Sequence, residues 1–158
     1  MSKKKVVIIS TAATLLLAGS ITGGILIINN QQEQPFRLDS EYYATSEAID
    51  IAKDQYENLI AQKKSFVVMV DKPDCVTTTS MREYMSSFPG DTQFKYYRIM
   101  WEDVSKSSLH EKVKFAPSIA IIHEGTVKAW LDADSDKDVE YYNSAEALQS
   151  WIKKYILF

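Results

Sequence analysis

Apolar positions in the first half of the folded region follow two different periods. Over residues 46–63, Ile49, Ala52 and Tyr56 recur at steps of three and four, which predicts an amphipathic helix. Residues 65–70 then form a short apolar run rich in valine, as expected for a strand that is covered on both faces. A helix followed by a buried strand is therefore the first predicted unit.

The same alternation continues to the end of the chain. Two strands flank Glu124 and Gly125, which is a hairpin signal, and Ser144 is placed to cap the last helix. The predicted elements after residue 70 are a helix that includes 81–88, a strand over 93–100, a short helix over 104–113, strands over 118–122 and 127–131, and a helix over 145–156.

This order of elements defines an α/β fold. Two helical crossovers followed by a hairpin predict a mixed four-stranded sheet flanked by helices. The predicted folded domain covers residues 38–158. Residues 29–37 are mostly polar and contain the helix-breaking Pro35, so we interpret them as a tether.

The N-terminal segment predicts a membrane anchor. Residues 6–28 contain no charged side chain and would span about 35 Å as a helix, enough to cross a bilayer core. Three lysines within residues 1–5 precede this transmembrane signal-anchor and place the N-terminus in the cytoplasm and the domain outside it. The alternative is a secreted protein, cut as a signal peptide after Ser20.

Charge and cysteine count exclude several functions. The chain has 158 residues with 18 basic and 21 acidic side chains, and without the three N-terminal lysines the balance is more acidic still. An acidic domain repels phosphate backbones, so we expect no nucleic acid partner. A single cysteine excludes an internal disulfide, a CxxC pair and a multi-thiolate zinc site. Nothing in the sequence indicates a cofactor.

Two segments resemble the thioredoxin family. Residues 66–78 (FVVMVDKPDCVTT) precede a predicted helix, and residues 113–122 (VKFAPSIAII) precede the predicted hairpin. The resemblance implies a thioredoxin-like fold in which Cys75 begins a helix and Pro117 forms a cis peptide bond beside the sulfur. It also implies that the Ala116 backbone pairs with an extended substrate.

Departures from the family pattern limit the chemistry. Thr78 stands where the family carries its second cysteine, Asp74 replaces an aromatic residue, and Met69 replaces a buried acid. A complete dithiol cycle is therefore impossible within one chain, and the domain is a single-cysteine CxxT variant. A weaker similarity is to thioredoxin-like accessory proteins of bacteriocin systems.

The lone thiol leaves two functions open. A helix N-terminus favours the thiolate of Cys75, whereas Asp71 and Asp74 oppose it, so we expect a pKa close to the ordinary value of about 8.5. The first hypothesis is monothiol disulfide exchange, with Cys75, Thr78 and Pro117 as the catalytic residues that the resemblance implies. The second is a non-catalytic binding or assembly module with an idle cysteine.

The resemblance also predicts a substrate groove. It places the loop after the last strand at the same end of the sheet as Cys75, so we expect Ala116, Asp74 and Ala133 to contact the substrate. The expected partner is a polypeptide or another thiol-containing molecule.

An acidic loop is the remaining motif. Carboxylates at alternate positions match the opening of a calcium loop, but Lys137 and Asn143 stand where a glycine and a closing glutamate belong. A solvated acidic loop is favoured, and calcium is the weaker alternative. The candidate ligands are Asp132, Asp134, Asp136 and Asp138.

Overall fold

Five strands form one mixed sheet in the computed structural model, which describes residues 34–43 and 45–158. The strands are β1 (Ala48–Asp50), β2 (Phe66–Asp71), β3 (Tyr96–Met100), β4 (Ser118–His123) and β5 (Thr126–Trp130). Their spatial order is β1-β3-β2-β4-β5. β3 is parallel to both β1 and β2, whereas β4 is antiparallel to β2 and to β5.

Helical segments connect the strands. The α-helices are α1 (Lys53–Ala61), α2 (Val76–Ser86), α3 (Trp101–Val104) and α4 (Ala145–Ile152). Short 3-10 helices lie at Ser40–Tyr42, Gly90–Thr92, Ser108–Glu111 and Val139–Tyr142. The α/β class and the mixed sheet are thus confirmed.

The predicted number of strands was wrong, because the start of the predicted helix over 46–63 is a strand. Ala48 pairs with Tyr96 and Asp50 with Arg98 in a parallel ladder. The Arg98 guanidinium donates to the Asp50 carboxylate at 2.8 Å and 2.9 Å. Pairing with β3 overrides the local helical period, and α1 begins only at Lys53.

The predicted helix over 104–113 is also absent as one element. α3 ends at Val104, and the hydroxyls of Ser105 and Ser107 donate back to carbonyls three residues earlier, at 2.9 Å each. Such local bonds compete with helix propagation. Glu57 accepts from the Ser108 backbone at 2.6 Å, and a separate 3-10 turn follows.

The core is built around β2. All six of its residues are buried, as the apolar run predicted. The central position between β3 and β4 explains this burial, because helices cover the sheet on which β2 is the middle strand.

The first residues of the compact unit Pro35–Phe158 pair with its C-terminal residues through Phe36. Phe36 N–H donates to Tyr155 O and Leu157 N–H donates to Phe36 O, both at 2.8 Å. The Phe36 ring stacks on His123 with centroids 3.9 Å apart. This segment is therefore fixed at the carboxyl end of β4.

The predicted anchor over residues 6–28 lies outside the described residues. Within residues 34–43 and 45–158, no helix combines the length and the apolar character needed to span a membrane.

Candidate functional site

A tight turn after β2 places Cys75 at the start of α2. Asp74 adopts a left-handed backbone with φ of 57°, a conformation that aspartate tolerates better than most residues. Cys75 itself is extended and caps the helix, and its carbonyl accepts from Thr79 N–H at 3.2 Å. The turn thus leaves the Cys75 side chain partly exposed beside the first free N–H groups of α2.

Donors of the first helical turn lower the pKa of the Cys75 thiol. The largest cause is the backbone N–H of Thr78, and the Thr78 hydroxyl and both the backbone and the hydroxyl of Thr77 act in the same direction. Partial burial opposes them. The thiolate is therefore favoured by hydrogen bonds at a helix start, as expected for a reactive cysteine.

The Thr78 hydroxyl is a buried donor close to the thiol. Thr78 is buried, and its Oγ1 has no hydrogen-bond partner among the described residues. Donation to the ionised sulfur would satisfy this group and contributes to the lowered pKa of Cys75. A buried hydroxyl held for the thiolate marks Thr78 as part of the site.

The expectation of a Cys75 pKa close to its ordinary value was wrong, because the shift is downward. Its largest causes are hydrogen bonds from Thr78 and Thr77, and not the carboxylates of Asp71 and Asp74. Asp71 is buried, and its Oδ2 accepts from Arg82 Nε at 2.9 Å and from Arg82 Nη2. An adjacent guanidinium compensates the charge of Asp71, and Asp74 is exposed to solvent.

A groove of about 440 Å³ lies in front of the sulfur. The peptide bond between Ala116 and Pro117 is cis. The groove is lined by Cys75, Thr77, Ala116, Pro117, Ala133, Val139, Tyr142 and Asn143. The structure thus brings together four residues that the sequence predicted, one from the cysteine turn, two from the proline turn and one from the acidic loop.

Other predicted and unpredicted residues take different positions. Thr78 is buried in the first turn of α2, and Asp74 is exposed on the turn and does not line the groove. Sequence reasoning missed Val139, Tyr142 and Asn143. No periodicity distinguishes Tyr142 from the other eight tyrosines. The one available signal was its position in the sequence, shortly after the acidic loop.

The acidic loop is held by hydrogen bonds among its own residues, and the calcium alternative stays a prediction. Asp132 Oδ1 accepts from Asp134 N–H at 3.0 Å, and Asp138 Oδ2 accepts from Asp132 N–H at 2.8 Å. Two of the carboxylates therefore cap the loop backbone. Within the described part of the chain, no group of three or more acidic, histidine or cysteine side chains is arranged to hold a metal ion, and Asp136 joins no such group.

Three exposed apolar side chains lie in the groove lining or next to it along the chain. Val139 lines the groove and is 58% exposed, Val76 follows Cys75 and is 82% exposed, and Phe115 precedes Ala116 and is 47% exposed. Met100 ends β3 in register with Asp71 and so lies at the same edge of the sheet. We call Val76, Phe115 and Val139 the apolar rim.

The Ala116 backbone is available for pairing. No hydrogen bond joins its N–H or its C=O to any other residue in the described ranges 34–43 and 45–158. Unpaired backbone groups beside a groove are sites at which an extended peptide adds by strand-like pairing.

Comparisons with known proteins leave the family open. No protein-family model matches the chain, and no curated protein sequence matches it. Solved structures similar to the chain include a mutant thioredoxin from Halobacterium salinarum, at 11% identity over 73% of this chain and 96% of that one, with a TM-score of 0.48. Thioredoxin O1 from Arabidopsis thaliana is 8% identical over 70% and 99%, with a TM-score of 0.49. Thioredoxin from Schistosoma mansoni is 17% identical over 70% and 97%, with a TM-score of 0.47.

The chain's own topology decides the fold. A parallel β1-β3-β2 group continues into an antiparallel β4-β5 hairpin, and the turn before β4 faces the cysteine turn after β2 across the groove. The fold is thioredoxin-like. The similarity to bacteriocin accessory proteins stays a prediction.

The first testable prediction concerns Thr78→Val. Removing the hydroxyl should raise the pKa of Cys75, because the thiolate loses a hydrogen-bond donor. The pH dependence of Cys75 alkylation by iodoacetamide, which reports the thiolate fraction, should therefore move to higher pH. The free energy of unfolding should not fall, because valine replaces a buried hydroxyl without another partner.

Thr79→Val is the matched control. The Thr79 hydroxyl donates to Cys75 O at 3.5 Å and does not contribute to the pKa shift of the thiol. Its alkylation profile should coincide with that of the wild type. Identical profiles for Thr78→Val and Thr79→Val would contradict the role given to the buried hydroxyl.

Proposed function

We propose that this protein forms mixed disulfides through Cys75 with extended polypeptide segments that lie in the groove. The thiolate attacks one sulfur of a partner disulfide, a new S–S bond forms to Cys75, and the partner's second sulfur leaves as a thiolate that takes up a proton from water. No external oxidant is needed, because the disulfide that is consumed supplies the oxidising equivalents.

One observation carries this proposal. Cys75 is a partly exposed thiol whose pKa is lowered by donors from Thr77 and Thr78 at the start of α2. Thiolate is the form that exchanges with disulfides. An idle cysteine does not require a buried hydroxyl held next to its sulfur.

The walls of the groove support an extended polypeptide as the partner. The unpaired N–H and C=O of Ala116 match the backbone of an extended segment, which would place a cysteine of that segment beside Cys75. The apolar rim favours apolar side chains on either side of that cysteine.

Thr78 sets the limit of the reaction. A hydroxyl does not resolve a mixed disulfide, and the chain has no second cysteine. The adduct on Cys75 therefore persists until an external thiol attacks it. Trapping or handing on a partner fits this chemistry better than rapid turnover.

We also propose a cellular setting. The uncharged residues 6–28 behind three lysines support a membrane-anchored protein whose thioredoxin-like domain lies outside the cytoplasm. Disulfide-bearing partners are common in such compartments.

A non-catalytic binding module is the second candidate. The apolar rim favours it, because exposed apolar side chains around a groove hold a partner without any covalent step. Under this alternative Cys75 is dispensable for binding.

The test of the proposal uses the full-length chain in detergent with oxidised glutathione, followed by intact mass. The wild type should form a 1:1 adduct, and Cys75→Ser should form none. The rate at pH 7 should fall when the protein is unfolded in urea, because the thiol then loses the donors of α2. Absence of any adduct in the folded state would favour the binding module, and repeated turnover without added thiol would contradict the trapping reaction.

A further inference from the structure

The wall opposite Cys75 is held by two tyrosine hydroxyls. It consists of the 3-10 helix Val139–Tyr142 and the following Asn143. Tyr142 Oη donates to Pro117 O at 3.1 Å, and Tyr84 Oη donates to Asn143 O at 3.1 Å. We call residues 139–143 the groove wall.

These two bonds join the groove wall to both sides of the site. Pro117 is buried in the turn beside the sulfur, and its carbonyl accepts the Tyr142 hydroxyl just before β4 begins. Tyr84 belongs to α2, the helix that Cys75 caps. The spacing of the groove wall therefore depends on two hydrogen bonds, one from Tyr142 to the proline turn and one from Tyr84 on α2 to Asn143.

The hydrogen bond from Tyr142 Oη to Pro117 O persists when the Cys75 thiol ionises. Burial raises the pKa of Tyr142, and the nearby carboxylates of Asp138 and Asp132 raise it further. The hydroxyl thus keeps its proton where the Cys75 thiol, whose own pKa is lowered, loses one. Asp132 and Asp138 thereby help to maintain a hydrogen-bond donor in the groove.

The hydroxyl of Tyr142 donates to Pro117 O and not to the sulfur. The largest causes of the lowered pKa of Cys75 are hydrogen bonds from Thr78 and Thr77, which partial burial opposes. An effect of Tyr142 on the reaction has to pass through the position of Pro117 and of the groove wall.

We propose that Tyr142 is a positioning residue that sets specificity for extended peptides. It holds the carbonyl of Pro117 and the groove wall at the spacing that admits a peptide backbone against Ala116. This inference rests on the proposed function, because it assigns peptide selection at the same site. Small disulfides, which do not need the full length of the groove, should not depend on Tyr142.

The experiment compares Tyr142→Phe with wild type in the full-length chain. One reagent is oxidised glutathione, and the other is an octapeptide with its central cysteine activated as a mixed disulfide with thionitrobenzoate. Loss of one hydrogen bond should lower the rate constant for the peptide about tenfold and raise its half-saturating concentration. The rate with glutathione should stay within about twofold, and the alkylation pH profile should not move.

Tyr84→Phe is the matched control variant. It also removes one tyrosine hydroxyl, which donates from α2 to Asn143 O at the end of the groove wall. Its peptide rate should fall less than that of Tyr142→Phe, because the bond to Pro117 O remains. Equal losses with peptide and glutathione in Tyr142→Phe would overturn the inference, since they indicate a general structural effect. Unchanged peptide kinetics in Tyr142→Phe would overturn it as well.

Failure of the proposed function would give a different result, because the wild type would then react with neither disulfide. In that case we would measure noncovalent binding by fluorescence anisotropy, using the same octapeptide with serine in place of cysteine. This measurement tests the role of Tyr142 without any disulfide exchange. Weaker binding to Tyr142→Phe than to Tyr84→Phe supports the inference in that case. Equal binding to the two variants overturns it.

Discussion

Gly125→Ala should destabilise the domain by about 3 kcal/mol or more. Gly125 has φ of 74°, which alanine adopts only with strain. A Cβ atom there would overlap Ile60 O and lie 3.2 Å from Lys63 Cα. Both are backbone atoms, one in the last turn of α1 and one two residues after it, so the hairpin turn has to move and the bond from Gly125 N–H to Lys64 O, now 3.0 Å, weakens.

Gly90→Ala is the matched control for this variant. A Cβ atom at Gly90 meets nothing within 4 Å, so alanine should change the free energy of unfolding by less than about 1 kcal/mol. Urea unfolding followed by far-UV circular dichroism measures both variants. Equal midpoints for the two would show that the hairpin turn shifts away from α1 at little cost.

Arg82→Met should destabilise the domain by about 2–3 kcal/mol. Asp71 is buried at the end of β2, and its Oδ1 already has no hydrogen-bond partner among the described residues. Removing Arg82 leaves the carboxylate without its counter-charge, which costs about 3–5 kcal/mol for fully buried pairs. The Arg82 side chain is 41% exposed, so water moderates the loss.

The double variant Asp71→Leu, Arg82→Met separates charge from packing. Replacing both partners with apolar side chains should restore most of the stability lost in Arg82→Met, because no unpaired charge remains. Urea midpoints of wild type, both single variants and the double variant form the cycle. Arg82→Met as stable as the wild type would show that Asp71 is hydrated in the native state.

Strands whose own residues form a clear local pattern were predictable. The valine-rich run predicted β2, and the Glu124–Gly125 turn predicted the β4-β5 hairpin. Both are found close to their predicted positions. β1 has no such signal. Ile49 fits a helical period, and only pairing of Ala48 and Asp50 with β3 makes the segment a strand.

The site was predictable where the family resemblance supplied it. Cys75, Ala116 and Pro117 meet as that resemblance implied. The burial of Thr78, the pairing of Asp71 with Arg82 and the bond from Tyr142 to Pro117 depend on which side chains face each other across the fold. Spacing along the chain carries no such information, so the electrostatics around the thiol were misjudged.

The docked Phe36 segment has a steric consequence for any partner on Cys75. Ser118 begins β4 next to the cysteine edge and pairs with Val70, whereas His123 ends it against the Phe36 ring. Five residue steps along β4 separate these ends by about 16 Å. Phe36 is therefore about the length of β4 away from the cysteine edge and does not line the groove, so a peptide bound in the groove need not displace the Phe36 ring.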